Sequence, residues 1–269
     1  MKKFVTALCA ASLALGIAAC SGETANGPAD ATAAASLAGT WKANLDSAEF
    51  ENDTSSFLIA DGKYTCNSCI PPFSVAASGD WEKIDRPGVD ALKYTIVDDK
   101  TITTASRLGD KELGNSTWTV SDDGQSLIMN WTNLDGDEVV KGSTTYARVA
   151  PAPDGAHAAS GDWNVASLGD MSDAGLVFSY AIDGDTIISS GNGGGYTATL
   201  GGEPVTPEGD NSGGVVAVEK VSDNVYRETY SRNGGVINVL ELTVEGDTLR
   251  GVSTDPRDNS TVRWTATRQ

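Results

Sequence analysis

Two cysteines separated by two residues, in Tyr64-Thr65-Cys66-Asn67-Ser68-Cys69-Ile70-Pro71-Pro72, are the densest reactive chemistry in this chain. A Cys-x-x-Cys pair supports three readings: a structural disulfide, a redox dithiol, or half of a zinc site. Redox dithiols use a helix N-terminus to stabilise the thiolate, whereas two prolines and a strand-like pattern follow Cys69. A closed zinc site needs four ligands, and the one histidine, His157, lies far off in a Pro/Ala/Gly stretch. A structural disulfide between Cys66 and Cys69 is the expected state in an oxidising compartment, with metal and redox roles as the alternatives. No metal site and no cofactor are expected.

Other catalytic constellations are poorly provided for. With His157 alone, a Ser-His-Asp or Cys-His arrangement inside a folded domain lacks its base, and no Gly-x-Ser-x-Gly elbow occurs. The 37 acidic residues could supply a carboxylate pair for glycoside hydrolysis. Many of them sit in turn-like runs instead: Asp122-Asp123-Gly124, Asp135-Gly136-Asp137 and Asp183-Gly184-Asp185. None of these follows the calcium loop of an EF-hand. Gly191-Asn192-Gly193-Gly194-Gly195 lacks the Gly-Lys-Ser/Thr ending of a phosphate loop and runs into the strand-like Tyr196–Leu200, so it reads as a turn. No catalytic residue is expected, and the chain is not expected to be an enzyme.

At the N-terminus, Met1-Lys2-Lys3 precedes an apolar Ala/Leu-rich run ending Ile17-Ala18-Ala19-Cys20. The run is too short for a transmembrane span and reads as an export signal. Its end resembles a lipobox, which makes residues 1–19 a lipoprotein signal peptide and Cys20 the lipidated first residue. Ser21 in the next position, in place of Asp, resembles cargo sorted to the outer membrane, and the expected location is that membrane, facing the periplasm. Residues 20–36, without aromatics or periodicity, read as a flexible tether. Removing the leader takes away Lys2 and Lys3 and no acid, deepening the net charge from −18 to −20. That charge argues against nucleic acid as a partner; the membrane is expected to be engaged through the lipid.

The elements that must carry these residues come twice. Leu37-Ala38-Gly39-Thr40-Trp41 returns as Ala159-Ser160-Gly161-Asp162-Trp163, and Asp61-Gly62 returns as Asp183-Gly184. Thr119-Val120 matches Thr243-Val244 and Arg148 matches Arg268, each about 120 residues on. No 3.6-residue stripe is evident between Gly39 and Val149. Alternation is, as in Leu127, Met129 and Trp131 and again in Val236, Asn238, Leu240, Leu242 and Val244. Strands are predicted near 40–45, 55–60, 63–66, 72–77, 92–97, 100–106, 115–120, 126–132 and 140–149, and the series repeats from Gly161 to Arg268. Ala150–Ala159 is a Pro/Ala/Gly break where the repeat restarts. The expected organisation is an all-β chain with a domain at 37–149, a linker at 150–159 and a second domain at 160–269. So many short strands point to meanders closed, or nearly closed, into barrels.

Gly-x-Trp on the first strand and a closing Arg resemble lipocalins and the wider calycin barrels. The segments 39–50, Asp61-Gly62-Lys63-Tyr64-Thr65-Cys66 through Pro72, and Gly155–Trp163 resemble a family of bacterial exported proteins with two lipocalin-like repeats. The resemblance implies two tandem up-and-down barrels and an envelope location, and no activity. It also implies that the first-strand Trp closes one barrel end beneath an Arg from the last strand, which pairs Trp41 with Arg148 and Trp163 with Arg268. The expected function is a binding module holding a small apolar molecule. The alternative is a structural lipoprotein with filled barrels that meets envelope proteins through its surface. No ligand-binding residue is assigned from sequence.

Overall fold

The computed structural model describes residues 36–269; the expected signal peptide, Cys20 and nearly all of the expected tether lie outside the described residues. The chain begins its folded part with β1 (Gly39–Glu51). It continues through β2 (Thr54–Ala60), β3 (Lys63–Cys66), β4 (Phe73–Ala76), β5 (Glu82–Arg86), β6 (Val89–Ile96) and β7 (Thr101–Leu108). Next come β8 (Lys111–Val120), β9 (Ser126–Asn133), β10 (Val140–Ala150) and β11 (Gly161–Met171). A 3-10 turn at Asp173–Gly175 leads to β12 (Val177–Asp183), β13 (Thr186–Gly191), β14 (Gly194–Thr199) and β15 (Gly214–Lys220). The last four are β16 (Val225–Arg232), β17 (Gly235–Glu245), β18 (Thr248–Asp255) and β19 (Ser260–Arg268). Every predicted strand of the first half is present. The added one, β5, carries Ile84 as its only aliphatic residue in Glu-Lys-Ile-Asp-Arg, too little alternation to announce a strand.

The strands form two nearly closed antiparallel barrels. The first is ordered β4-β3-β2-β11-β10-β9-β8-β7-β6-β5, and the second β14-β13-β12-β1-β19-β18-β17-β16-β15. A bridge between Ser78 and Thr95 spans the gap in the first; bridges Gly195–Glu208 and Val205–Val216 span it in the second. Turns follow the local sequence. At Asp61-Gly62 both residues have positive φ, 51° and 69°, the conformation that lets a two-residue hairpin join β2 to β3.

The sheet order corrects the expected domain division. Each barrel takes its first strand from the other repeat: β1 lies between β12 and β19 in the second barrel, and β11 lies between β2 and β10 in the first. The contiguous segments 37–149 and 160–269 are therefore sequence repeats and not barrels. The physical reason lies in the hinges. Only Asn52 and Asp53 separate β1 from β2, and the chain runs on from one barrel into the other without folding back. Since β1 and β11 carry equivalent residues, exchanging them preserves the ladder hydrogen bonds and side-chain packing of both barrels. Such a swap costs little beyond the hinge.

The exchange orients the barrels. In the first, the turns at 61–62 and 121–125 and the segment 157–160 lie at the end holding Trp163, linked by His157 N–H to Ile59 O (2.9 Å) and Arg148 N–H to Gln125 O (2.9 Å). The opposite end faces the second barrel. There the Asn192-Gly193 turn meets residues 136–138: Glu138 N–H donates to Asn192 Oδ1 and Asn192 Nδ2 donates to Glu138 O, both at 2.8 Å. A Cβ on Gly193 would stand 2.6 Å from Gly136 Cα, so the two mouths meet at a backbone contact that only glycine permits.

Candidate functional site

The closed ends are built as a pair. Trp41 and Trp163 are each fully buried, and each indole Nε1 donates to a carbonyl four residues earlier, Leu37 O at 2.9 Å and Ala159 O at 3.1 Å. Arg148 lies 3.9 Å from the Trp163 ring centroid and Arg268 lies 4.1 Å from that of Trp41. Both distances fall within the ~6 Å at which a guanidinium is attracted to an aromatic face. The stacking expected from sequence is present, with its partners exchanged: Trp41 meets Arg268, not Arg148, and Trp163 meets Arg148, not Arg268. Strand exchange is the cause, since Trp41 is registered with Arg268 across β1 and β19, and Arg148 with Trp163 across β10 and β11. The guanidiniums also act as clamps. Arg148 donates to Ser160 O (2.8 Å) and Ala158 O (2.7 Å), and Arg268 to Ala38 O (2.6 Å) and Ser36 O (2.8 Å). Each tacks the chain entering its barrel across the closed end.

Away from that plug, the first barrel contains a cavity of about 350 Å³. Phe57, Met129, Trp131, Val140, Leu168 and Met171 give it an apolar wall. Beneath it the barrel is filled: Tyr64 and Tyr94 stack with centroids 3.9 Å apart, and Phe57 and Trp118 lie against each other at 5.0 Å. Cys66 and Cys69 form a disulfide with a Cα–Cα distance of 5.4 Å, and both line the cavity. The bridge shapes the hairpin at the mouth, where Asn67 and Ser68 N–H donate to Ser56 O. Among the described residues, no group of three His, Cys, Asp or Glu is placed to hold a metal ion. His157, whose ring nitrogen bonds Asp98 O at 2.7 Å, lies at the plugged end.

The second barrel differs inside. Its interior holds Glu228, 1% exposed, which reading the acids as turn and surface groups missed. Tyr180 and Tyr196 hydroxyls donate to Glu228 Oε1 at 2.8 and 2.7 Å, and the Tyr230 hydroxyl donates to Oε2 at 2.6 Å. Burial pushes the Glu228 carboxyl above the usual carboxylate range, and the three phenols pull it part of the way back. The phenols of Tyr180 and Tyr230 are raised by burial first and by the Glu228 charge second. The signal was present in β16: Tyr226, Glu228 and Tyr230 alternate on one face. An acid at i between aromatics at i−2 and i+2 points inward with them.

This carboxylate and its phenols line a second cavity, of about 490 Å³, between the facing mouths. Gly88, Leu113, Asn133 and Asp135 line both cavities, so the two spaces adjoin. No family model, no curated protein and no solved structure matches this chain.

Proposed function

We propose that this chain is a lipid-anchored envelope protein whose lipocalin-like first barrel holds a small apolar molecule. The observation that carries the reading is the apolar cavity of about 350 Å³ above the Tyr64–Tyr94 stack. Its size falls in the ~300–1,000 Å³ range of small-molecule sites. The Arg148–Trp163 plug shuts the far end, so a ligand enters from the inter-barrel side. The anchor rests on Ile17-Ala18-Ala19-Cys20, with the outer membrane, periplasmic face, as the proposed location.

Native mass spectrometry of protein purified without its acyl anchor tests the ligand. A reproducible adduct of a few hundred daltons is expected, and Leu168→Trp, which fills the cavity, should remove it. An adduct that persists in the filled variant, or none in the parent, overturns the reading. For the anchor, Cys20→Ala should release the protein from the membrane fraction; retention after a high-salt wash would remove the lipid assignment.

A further inference from the structure

We propose that the cavity between the mouths is a head-group site for a cationic amphiphile, with its ammonium against Glu228, Tyr180, Tyr196 and Tyr230 and its apolar chain in the first barrel. The proposal rests on the apolar cavity of the first barrel and adds the chemistry of the other end of the ligand.

The hydrogen-bond inventory gives the polarity of the site. An ionised carboxylate only accepts, and a phenol that donates its proton to a carboxylate still offers an oxygen lone pair. The three phenols and Glu228 therefore present a cluster of acceptors around one negative charge. Among the described residues Glu228 forms no ion pair with a lysine or arginine; its hydrogen-bond partners are the three phenols. A buried carboxylate of this kind is held with hydrogen bonds and without a countercharge, the circumstance in which a cation gains most. A primary ammonium brings three donors and that charge together.

The rest of the lining agrees. Lys111 is paired with Asp135 at 2.8 Å. Arg232 donates to Ser212 Oγ, and Ser212 is itself bonded to Asp210. With Glu208 also on the wall, these charges leave the cavity negative. An anionic head would meet the carboxylates of Glu228, Glu208 and Asp210, with Arg232, whose buried Nε is unpartnered, as the cation against them, and a neutral one would leave the Glu228 charge uncompensated. The shared wall residues Leu113 and Asn133 carry the path from this site into the apolar cavity, so one molecule can occupy both.

The test holds the chain constant and varies the head. Dodecylamine and laurate, each below its micellar concentration, and 1-dodecanol, below its aqueous solubility, are titrated calorimetrically into the protein lacking its acyl anchor. Dodecylamine should bind about tenfold or more tighter than dodecanol, and laurate weakest, because the charge-assisted bonds exist for the amine alone. Glu228→Gln should bring the amine down to the dodecanol level and leave dodecanol unchanged. Should that variant fail to fold, Tyr196→Phe removes one acceptor and should narrow the amine's advantage. Equal binding of amine and alcohol, or an advantage surviving both substitutions, overturns the head-group site while the apolar cavity stands. Amine binding that resists Leu168→Trp, with no dodecanol binding at all, would instead keep the head-group site and remove the apolar one. If none of the three binds, both fall.

Discussion

Thr104 of the first barrel and Glu228 of the second hold matching places in the repeat, and they show how far two copies of one scaffold have diverged inside. Thr104 bonds Ser116 at 2.7 Å, and Trp118 donates to the same Ser116 at 2.8 Å, a small neutral network beneath an apolar cavity. Glu228 gathers three phenols around a buried ionisable carboxyl. Yet the plugs at the far ends are the same device to within a few tenths of an ångström, Arg148 at 3.9 Å from its ring and Arg268 at 4.1 Å. The plug closes a barrel and is common to both; the interior sets what a barrel can hold. A mouth-to-mouth arrangement lets two unlike interiors serve one space, which neither barrel alone would offer.

The comparison breaks most completely if the barrels can be separated. Because β1 and β11 are exchanged, cleavage at an engineered protease site within residues 151–156 should leave two fragments that co-elute under native conditions and part only in denaturant. Fragments that separate on cleavage would show each repeat folding on its own strands, and would restore the pairs Trp41–Arg148 and Trp163–Arg268. Next in size, Thr104→Glu moves the acid into the first barrel without its phenols. A buried charge without partners costs roughly 3–5 kcal/mol, to be read as a fall in the urea midpoint near neutral pH. A loss below 1 kcal/mol would mean that the first barrel already has the means to hold an acid.

How much of this was legible beforehand depends on whether the determinant is local. Leu127, Met129 and Trp131 alternate in sequence and lie on the interior face, since a strand's period is fixed by the backbone. The same argument holds only in part for 236–244. Leu240, Leu242 and Val244 are buried, but Val236 is exposed because a bulge shifts the register between Tyr230 and Ser231. The exchange of first strands was not legible. Gly39-Thr40-Trp41 and Gly161-Asp162-Trp163 offer nearly the same edge and the same indole to either Arg, so nothing within a strand selects its barrel. Glu228 was legible in principle, from its aromatic neighbours at two-residue spacing, and was lost among acids that do occupy turns.

The mouths are held by different means, which yields a smaller effect. In the first barrel the Cys66–Cys69 bridge closes the hairpin; at the matching place the second barrel has Ile188 and Gly191, and its turn docks through Asn192 onto Glu138. Replacing both cysteines by serine should cost about 2 kcal/mol, the loop-closure entropy of so short a loop. Ligand binding in the first barrel should weaken, and the Trp41–Arg268 end should be unaffected. The check is the urea midpoint of the double variant beside that of reduced wild type, which should match it. Alkylation of denatured, unreduced protein supplies the control: two modified thiols would show that no bridge forms.

The smallest effect sharpens the comparison through proton linkage at Glu228. Its carboxyl is raised in the folded state by burial, whereas in the unfolded chain it titrates near the ordinary ~4.3. Between those two values the folded protein binds a proton that the unfolded chain has released. The derivative of unfolding free energy with pH is then negative, and stability falls as pH rises through that window, by at most about 1.4 kcal/mol per pH unit for one proton. Below the window both states are protonated and above it both are ionised, so Glu228 contributes no slope. Tyr180, Tyr196 and Tyr230 stay neutral throughout, held up by burial and by the carboxylate. Exposed acids such as Asp98, Asp122 and Asp123 are shifted the other way, so the whole-protein slope mixes both signs. The measurement is therefore a difference: urea midpoints of wild type and Glu228→Gln across mildly acidic to neutral pH. The variant should gain on wild type as pH rises through the window, and Thr104→Ser, which leaves the first barrel neutral, should run parallel to wild type throughout. Parallel curves for wild type and Glu228→Gln would mean that the phenols hold the carboxylate at its ordinary value, and that the second barrel is no more charged in effect than the first.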